Sequence, residues 1–156
     1  MTSIETVTEF LYQEATYLDQ ADLDAWFELY TEDAYYWMPV SPDQTDPNNH
    51  ISLFYDDRVM MEIRRRNFGH ELAASMEYAV RCSHIIGNVR IENETASDLT
   101  VLANFQAVVY YKDQQTLYAG RYTHELVKLN NDLKIRSKRV DLLNADAEHG
   151  SLVIYL

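Results

Sequence analysis

The sequence is short of cations, glycine and cysteine, and each shortage closes off a class of function. Thirteen Lys and Arg face 25 Asp and Glu, for a formal net charge of −12. Affinity for nucleic acid or an anionic membrane surface comes from clustered cations, so neither is an expected partner. The one basic run, Arg64–Arg66, follows Asp56, Asp57 and Glu62 and reads as a solvated helix end favoured by the helix dipole. Four glycines leave little from which to build a phosphate-binding loop, and neither a G-x-S-x-G elbow nor an H-E-x-x-H helix is present. A single cysteine, Cys82, excludes an intrachain disulfide. No apolar run nears the roughly 20 residues that a membrane helix needs, and the start lacks a signal peptide's basic-then-apolar pattern. A soluble, cytoplasmic protein is the expectation.

What is present suits one folded domain over residues 1–156. Hydrophobic residues make up 47% and charged residues 24%, and 12 residues are tyrosine. A chain of this length buries roughly 70% of the surface its unfolded form exposes. Near the start, Thr2 and Glu5 read as a capping box, and Ile4, Val7, Leu11, Ala15 and Leu18 form one helical stripe. A shorter helix follows, with Asp22 or Asp24 near its start and Leu23, Trp26, Phe27 and Tyr30 at helical spacing. The aromatic run "TEDAYYWMPV", ended by Pro39, suits a short strand, and "SPDQTDPNNH" a loop. Tyr55, Val59 and Ile63 recur every four residues, which predicts a third helix over Phe54–Asn67, closed by Gly69.

From Tyr78 the texture is all strand: "YAVRCSHIIGNVRIE", "LTVLANFQAVVYYK", "TLYAGRYTHELVKL" and "LKIRSKRVDLLN", parted by "NETASD", "KDQQ" and "NND". These read as antiparallel neighbours joined by hairpins. Three helices followed by a run of strands is an α+β layout, in which a strongly curved, mainly antiparallel sheet closes over the helices as a cone.

Cys82 and His84 form C-x-H, which is half of a Rieske iron–sulfur motif, but the other half needs a second cysteine. On a strand the two side chains share a face with roots about 7 Å apart, too far for a thiolate–imidazole pair. An inert thiol beside a hydrogen-bonded structural histidine is the reading. His50, His70, His124 and His149 are scattered and lack a second ligand at helical or strand spacing. A cone interior can hold a small-molecule pocket, and Asp33, Tyr35, His84 and Tyr12 are the candidates for proton transfer there.

The order of segments resembles the small (β) subunit of aromatic-ring-hydroxylating dioxygenases, which has the cone fold of nuclear transport factor 2 and scytalone dehydratase (the NTF2-like, or cystatin-like, cone). "FLYQEATYLDQADLDAWFELYTEDAYYWMPV" is similar to that family's opening, and "YDDRVMMEIRR" to its third helix with its late Arg64. "RCSHIIGNV" matches a family stretch at Arg81, His84, Asn88 and Val89, with Val80 and Ser83 departing from it. "YAGRYTHEL" matches at Gly120 and Arg121, "KIRSKRVDLLNAD" at Arg139 and Asp141, and Leu133 stands where tryptophan is usual.

The resemblance implies a non-catalytic chain without cofactor or metal. It implies an α subunit partner carrying the [2Fe–2S] Rieske cluster and mononuclear Fe(II), an α3β3 hexamer with β–β contacts, and a reductase, often with a ferredoxin, acting on α. Arg81, His84, Asn88, Arg121, Arg139 and Asp141 are then structural or interface residues. The rival is a free-standing dehydratase or isomerase of the same fold using Asp33, Tyr35 and His84. "SHIIGN" resembles a scytalone dehydratase stretch with one catalytic histidine, but the strand "LTVLANFQAVVYY" has no second one.

Overall fold

The computed structural model describes residues 1–49, 51–74, 79–145, 152 and 154–156, with 69–74 described in backbone only. The chain runs α1 (Ile4–Asp19), α2 (Leu23–Phe27), β1 (Tyr30–Pro39), β2 (Ser52–Asp57), α3 (Arg58–Ala74), β3 (Arg81–Glu94), β4 (Asp98–Tyr111), β5 (Gln114–Leu129) and β6 (Asp132–Leu142). The strands form one sheet in the order β2-β1-β6-β5-β4-β3, in which only the β1–β6 pair is parallel. The expected α+β layout of three helices on a mainly antiparallel sheet is therefore present.

Hairpin geometry follows from the turn residues. Lys112 and Asp113 join β4 to β5, and Asn130 and Asn131 join β5 to β6, all four at positive φ of 49 to 69°. Two consecutive left-handed residues make the type I′ turn, whose twist matches that of the strands it joins. The register so fixed sends alternate residues to one face. On β4 that inner set is Leu99, Val101, Ala103, Phe105, Ala107 and Val109, each at most 5% exposed.

α1 fills this inner face. Ser3, rather than Thr2, is its N-cap and accepts from the Thr6 amide at 3.1 Å. With the helix starting there, Val7, Leu11, Ala15 and Leu18 face the core, whereas Ile4 is left exposed. α2 is capped by Asp22 and ends before Tyr30, which already belongs to β1.

The third helix differs from expectation at both ends. Residues 52–57 form β2 on the edge of the sheet, with Tyr55 opposite Trp37, and helix starts only at Arg58, where Asp57 accepts from the Met60 amide. The four-residue recurrence was misleading: Tyr55, Val59 and Ile63 are all exposed, while Met61 and Phe68 reach the core. The helix also continues through Gly69 to Ala74. Arg64–Arg66 consequently lies mid-helix rather than at a solvated end, with Arg64 on buried Asp56, Arg65 on Asp24 and Glu62, and Arg66 on Glu62.

Candidate functional site

A cone of this shape could work through its interior or its exterior. Among the described residues the core beneath α1 is packed around a charged cluster, and beside it lies a cavity of about 410 Å³ lined by Leu23, Phe54, Arg64, Phe68 and Tyr155. Glu14, which lies on the buried stripe of α1, is surrounded by four donors: His124 Nε2 at 2.9 Å, Lys138 Nζ at 3.0 Å, Trp26 Nε1 at 3.0 Å and the Tyr30 hydroxyl at 3.3 Å. Glu14, His124 and Lys138 are each at most 1% exposed. Burial alone would raise the Glu14 carboxyl, but Lys138 and His124 beside it hold it well below the usual carboxylate range. Burial lowers both His124 and Lys138, and Glu14 opposes each shift. Lys138 also sits over the Tyr122 ring, 4.1 Å from its centroid.

Aromatic packing closes the space around this cluster. Tyr122 stacks on Phe105 with centroids 4.1 Å apart, and Tyr155 stacks on Trp26 at 4.5 Å. Tyr36 binds the Leu156 backbone through both its amide and its carbonyl, and Tyr155 donates to Asp56 at 2.6 Å. Leu156 is wholly buried. The segment 154–156 is thus packed into the core, and Ile154 and Tyr155 also line that cavity.

The residues considered for proton transfer do not meet. Asp33 is exposed and accepts from the Thr31 hydroxyl at 2.6 Å. Tyr35 packs against Tyr55 on the other face of β1, and Tyr12 lies on the solvent side of α1. Only His84 points inward. Its side chain is wholly buried, with Nδ1 2.5 Å from Asp19 and its backbone amide donating to the same carboxylate at 3.1 Å. This pairing ties β3 to the end of α1. Cys82, next inward on β3, has its thiol pushed up to about 12 by burial and by Asp19, which makes it a poor nucleophile and metal ligand. Among the described residues no group of His, Cys, Asp and Glu is placed to hold a metal ion.

The interior cluster escaped the sequence reading although its signal was there. Glu14 is three residues from Leu11 and four from Leu18, so it belongs to the apolar stripe. His124 alternates with Tyr122 and Leu126, and Lys138 with Val140 and Leu142, all of them buried.

The remaining singled-out residues gather on the outer face. Arg139 forks onto Asp141 at 2.8 and 3.1 Å, donates to the carbonyls of Gln44 and Pro42, and lies 4.6 Å from the Trp37 ring centroid. It fastens the loop after β1 to the sheet. Gly87, Asn104, Arg121 and Asp141 form one row across β3–β6, and Asn88 stands beside it at a bulge with φ of 53°. Gly120 is required by close packing: a Cβ there would lie 2.0 Å from the Asp141 carbonyl oxygen. Arg81 is exposed near the Tyr110 ring.

Proton-transfer candidates that lie apart and an outward-facing row of arginine and amides fit a subunit of an assembly built on this fold. Comparison with known proteins gives the same class. Residues 13–147 match the family described as the ring hydroxylating beta subunit, and the chain belongs to that family. It is 31% identical over 164 residues to the 2-halobenzoate 1,2-dioxygenase small subunit of Burkholderia cepacia, covering 99% of both chains. The crystal structure of the benzoate 1,2-dioxygenase β subunit of Burkholderia mallei superposes with a TM-score of 0.81 at 30% identity, covering 92% of this chain and 93% of that one. A scytalone dehydratase-like protein of Novosphingobium aromaticivorans, with a TM-score of 0.67 at 15% identity and 89% and 83% coverage, shares the fold.

Proposed function

We propose that this chain is the structural β subunit of the oxygenase component of an aromatic-ring-hydroxylating dioxygenase. The observation that carries the reading is the match of residues 13–147 to the ring hydroxylating beta subunit family, beside a core in which Glu14 is paired with His124 and Lys138. The chemistry then belongs to an α subunit, which holds the Rieske cluster and the mononuclear iron and receives electrons from NAD(P)H through a reductase, often with a ferredoxin. Cys82 is the chain's only cysteine, so its donors do not fit a cluster that needs a second cysteine.

The contribution of this chain is thermodynamic. A partner that binds only the folded α subunit stabilises it by mass action, and an obligate interface of this kind buries roughly 2,000 Å² or more. We take the assembly to be α3β3 and its compartment to be the cytoplasm; no helix among the described residues is long and apolar enough to cross a membrane. The test is mass and metal analysis of this chain co-expressed with its α subunit and of this chain alone. An assembly of roughly 200 kDa with all iron and sulfide following α supports the reading. Iron on the isolated chain, or failure to join α, overturns it.

A further inference from the structure

The cavity beside the segment 154–156 is walled against the overall charge of the chain. With 25 Asp and Glu against 13 Lys and Arg in the sequence, its described lining holds Arg64 and Lys112 but no carboxylate. Four of the lining residues are aromatic: Phe54, Phe68, Tyr111 and Tyr155. The side chains are also sorted by depth. Leu23, Phe68, Ile154 and Tyr155 are buried, whereas Arg64 and Lys112 are exposed. The space of about 410 Å³ falls in the range of small-ligand sites, and a cavity of roughly 150 Å³ already accepts benzene.

Arg64 is a cation held in a fixed place. Its guanidinium lies 4.2 Å from the centroid of the Phe54 ring and gives Nε and Nη2 to Asp56. Its Nη1 has no partner among the described residues. Asp56 is 2% exposed and is not part of the lining, so the wall that an entering ligand meets is cationic. The Tyr155 hydroxyl is spent on Asp56, which leaves recognition of a polar group to the guanidinium. A planar guanidinium with a donor to spare suits a carboxylate.

We propose that this cavity binds a small aromatic monocarboxylate, its ring among Phe54, Phe68 and Tyr155 and its carboxylate at the mouth against Arg64. An aliphatic acid of the same size brings the charge without the aromatic contacts, and a neutral arene the reverse. No acid or histidine is among the described lining residues, so the ligand is held without a proton being moved. Leu23 belongs to α2, Phe54 to β2, and Arg64 and Phe68 to α3. A bound ligand therefore fastens three elements to the segment 154–156 and stabilises the folded chain by mass action.

The test is isothermal titration calorimetry and thermal unfolding of the isolated full chain with sodium benzoate at constant ionic strength. Beside it stand cyclohexanecarboxylate, which keeps the charge without the aromatic ring, and benzamide, which keeps the ring without the charge. Expected are one saturable benzoate site and an unfolding midpoint that rises with benzoate. Affinity is expected to be roughly threefold lower for cyclohexanecarboxylate and about tenfold lower for benzamide. Arg64→Gln is expected to weaken benzoate about tenfold. Because that change also takes a partner from Asp56, Leu152→Trp fills the cavity without touching the pair and is expected to abolish binding. Arg81→Gln on the outer face leaves binding unchanged, and circular dichroism reports that each variant is folded. Benzoate heats no larger than those of chloride overturn the proposal, and so does benzoate binding that survives Leu152→Trp. Equal affinity for cyclohexanecarboxylate or benzamide overturns the ligand class. Because the readout is this chain alone, the result stands apart from whether wild type joins α.

Discussion

Lys138 Nζ lies 3.0 Å from Glu14 Oε2 with neither side chain more than 1% exposed. A buried ion pair of this kind is expensive to break and much cheaper to replace, since removing one partner leaves an uncompensated charge in the core. Glu14→Ala is expected to destabilise the fold by about 3–5 kcal/mol. The double variant Glu14→Leu, Lys138→Met is expected to recover most of that. Urea unfolding of Glu14→Ala, Glu14→Leu, Lys138→Met and the double variant checks both; losses that simply add would show that the charges are not coupled.

The same cluster sets a pH dependence. Burial lowers His124 below its ordinary 6.5, so between the two values the unfolded chain binds the extra proton and stability falls as pH drops through 6.5. Glu14 is held below its ordinary 4.5, so its contribution is present above 4.5 and is lost as pH falls further. Lys138, lowered from 10.5 by burial, acts in the same direction on the alkaline side, where stability rises with pH up to 10.5. Unfolding midpoints are therefore expected to climb from pH 4 to pH 8. His124→Gln is expected to flatten the part of that climb around pH 6.

Gly120 and Gly87 form a controlled pair. A Cβ at Gly120 meets the Asp141 backbone at 2.0 Å, whereas one at Gly87 meets nothing within 4 Å. Backbone cannot move aside as a side chain can, so Gly120→Ala is expected to cost at least the 1–3 kcal/mol typical of overpacking. Gly87→Ala is expected to lie within about 0.5 kcal/mol of wild type. Thermal unfolding of the two variants separates them.

Arg139 holds the loop after β1 through the carbonyls of Gln44 and Pro42, at 2.6 and 2.9 Å. Arg139→Ala is expected to release that loop while the sheet persists. Limited proteolysis then cuts between residues 40 and 50 many times faster than in wild type, with the circular dichroism spectrum unchanged. Lysine in place of Arg139 restores little, because one ammonium cannot fork onto Asp141 and reach both carbonyls.

The parts of the fold that were legible in the sequence were those set by local chemistry. Strand alternation from Arg81 to Leu142 and the Asn130–Asn131 turn declare themselves, because parity and φ preference are properties of neighbouring residues. The β2–α3 junction does not. Tyr55, Val59 and Ile63 imitate a helical stripe, and only pairing with β1, remote in sequence, makes residues 52–57 a strand. The candidate site was half legible. His84 was read as a hydrogen-bonded histidine and its ring does meet a carboxylate, but that partner, Asp19, is 65 residues away. The Glu14–His124–Lys138 cluster needed three elements placed together before charged residues at core positions made sense.

The central claim is that this chain supports assembly and does no chemistry. The most direct measurement is turnover per assembled α subunit for oxygenase reconstituted with His84→Ala, set beside its iron content and hexamer yield. The account predicts a lower yield of complex with turnover per α unchanged. Turnover that collapses while assembly and iron content stay intact would contradict it and place a reacting group in this chain.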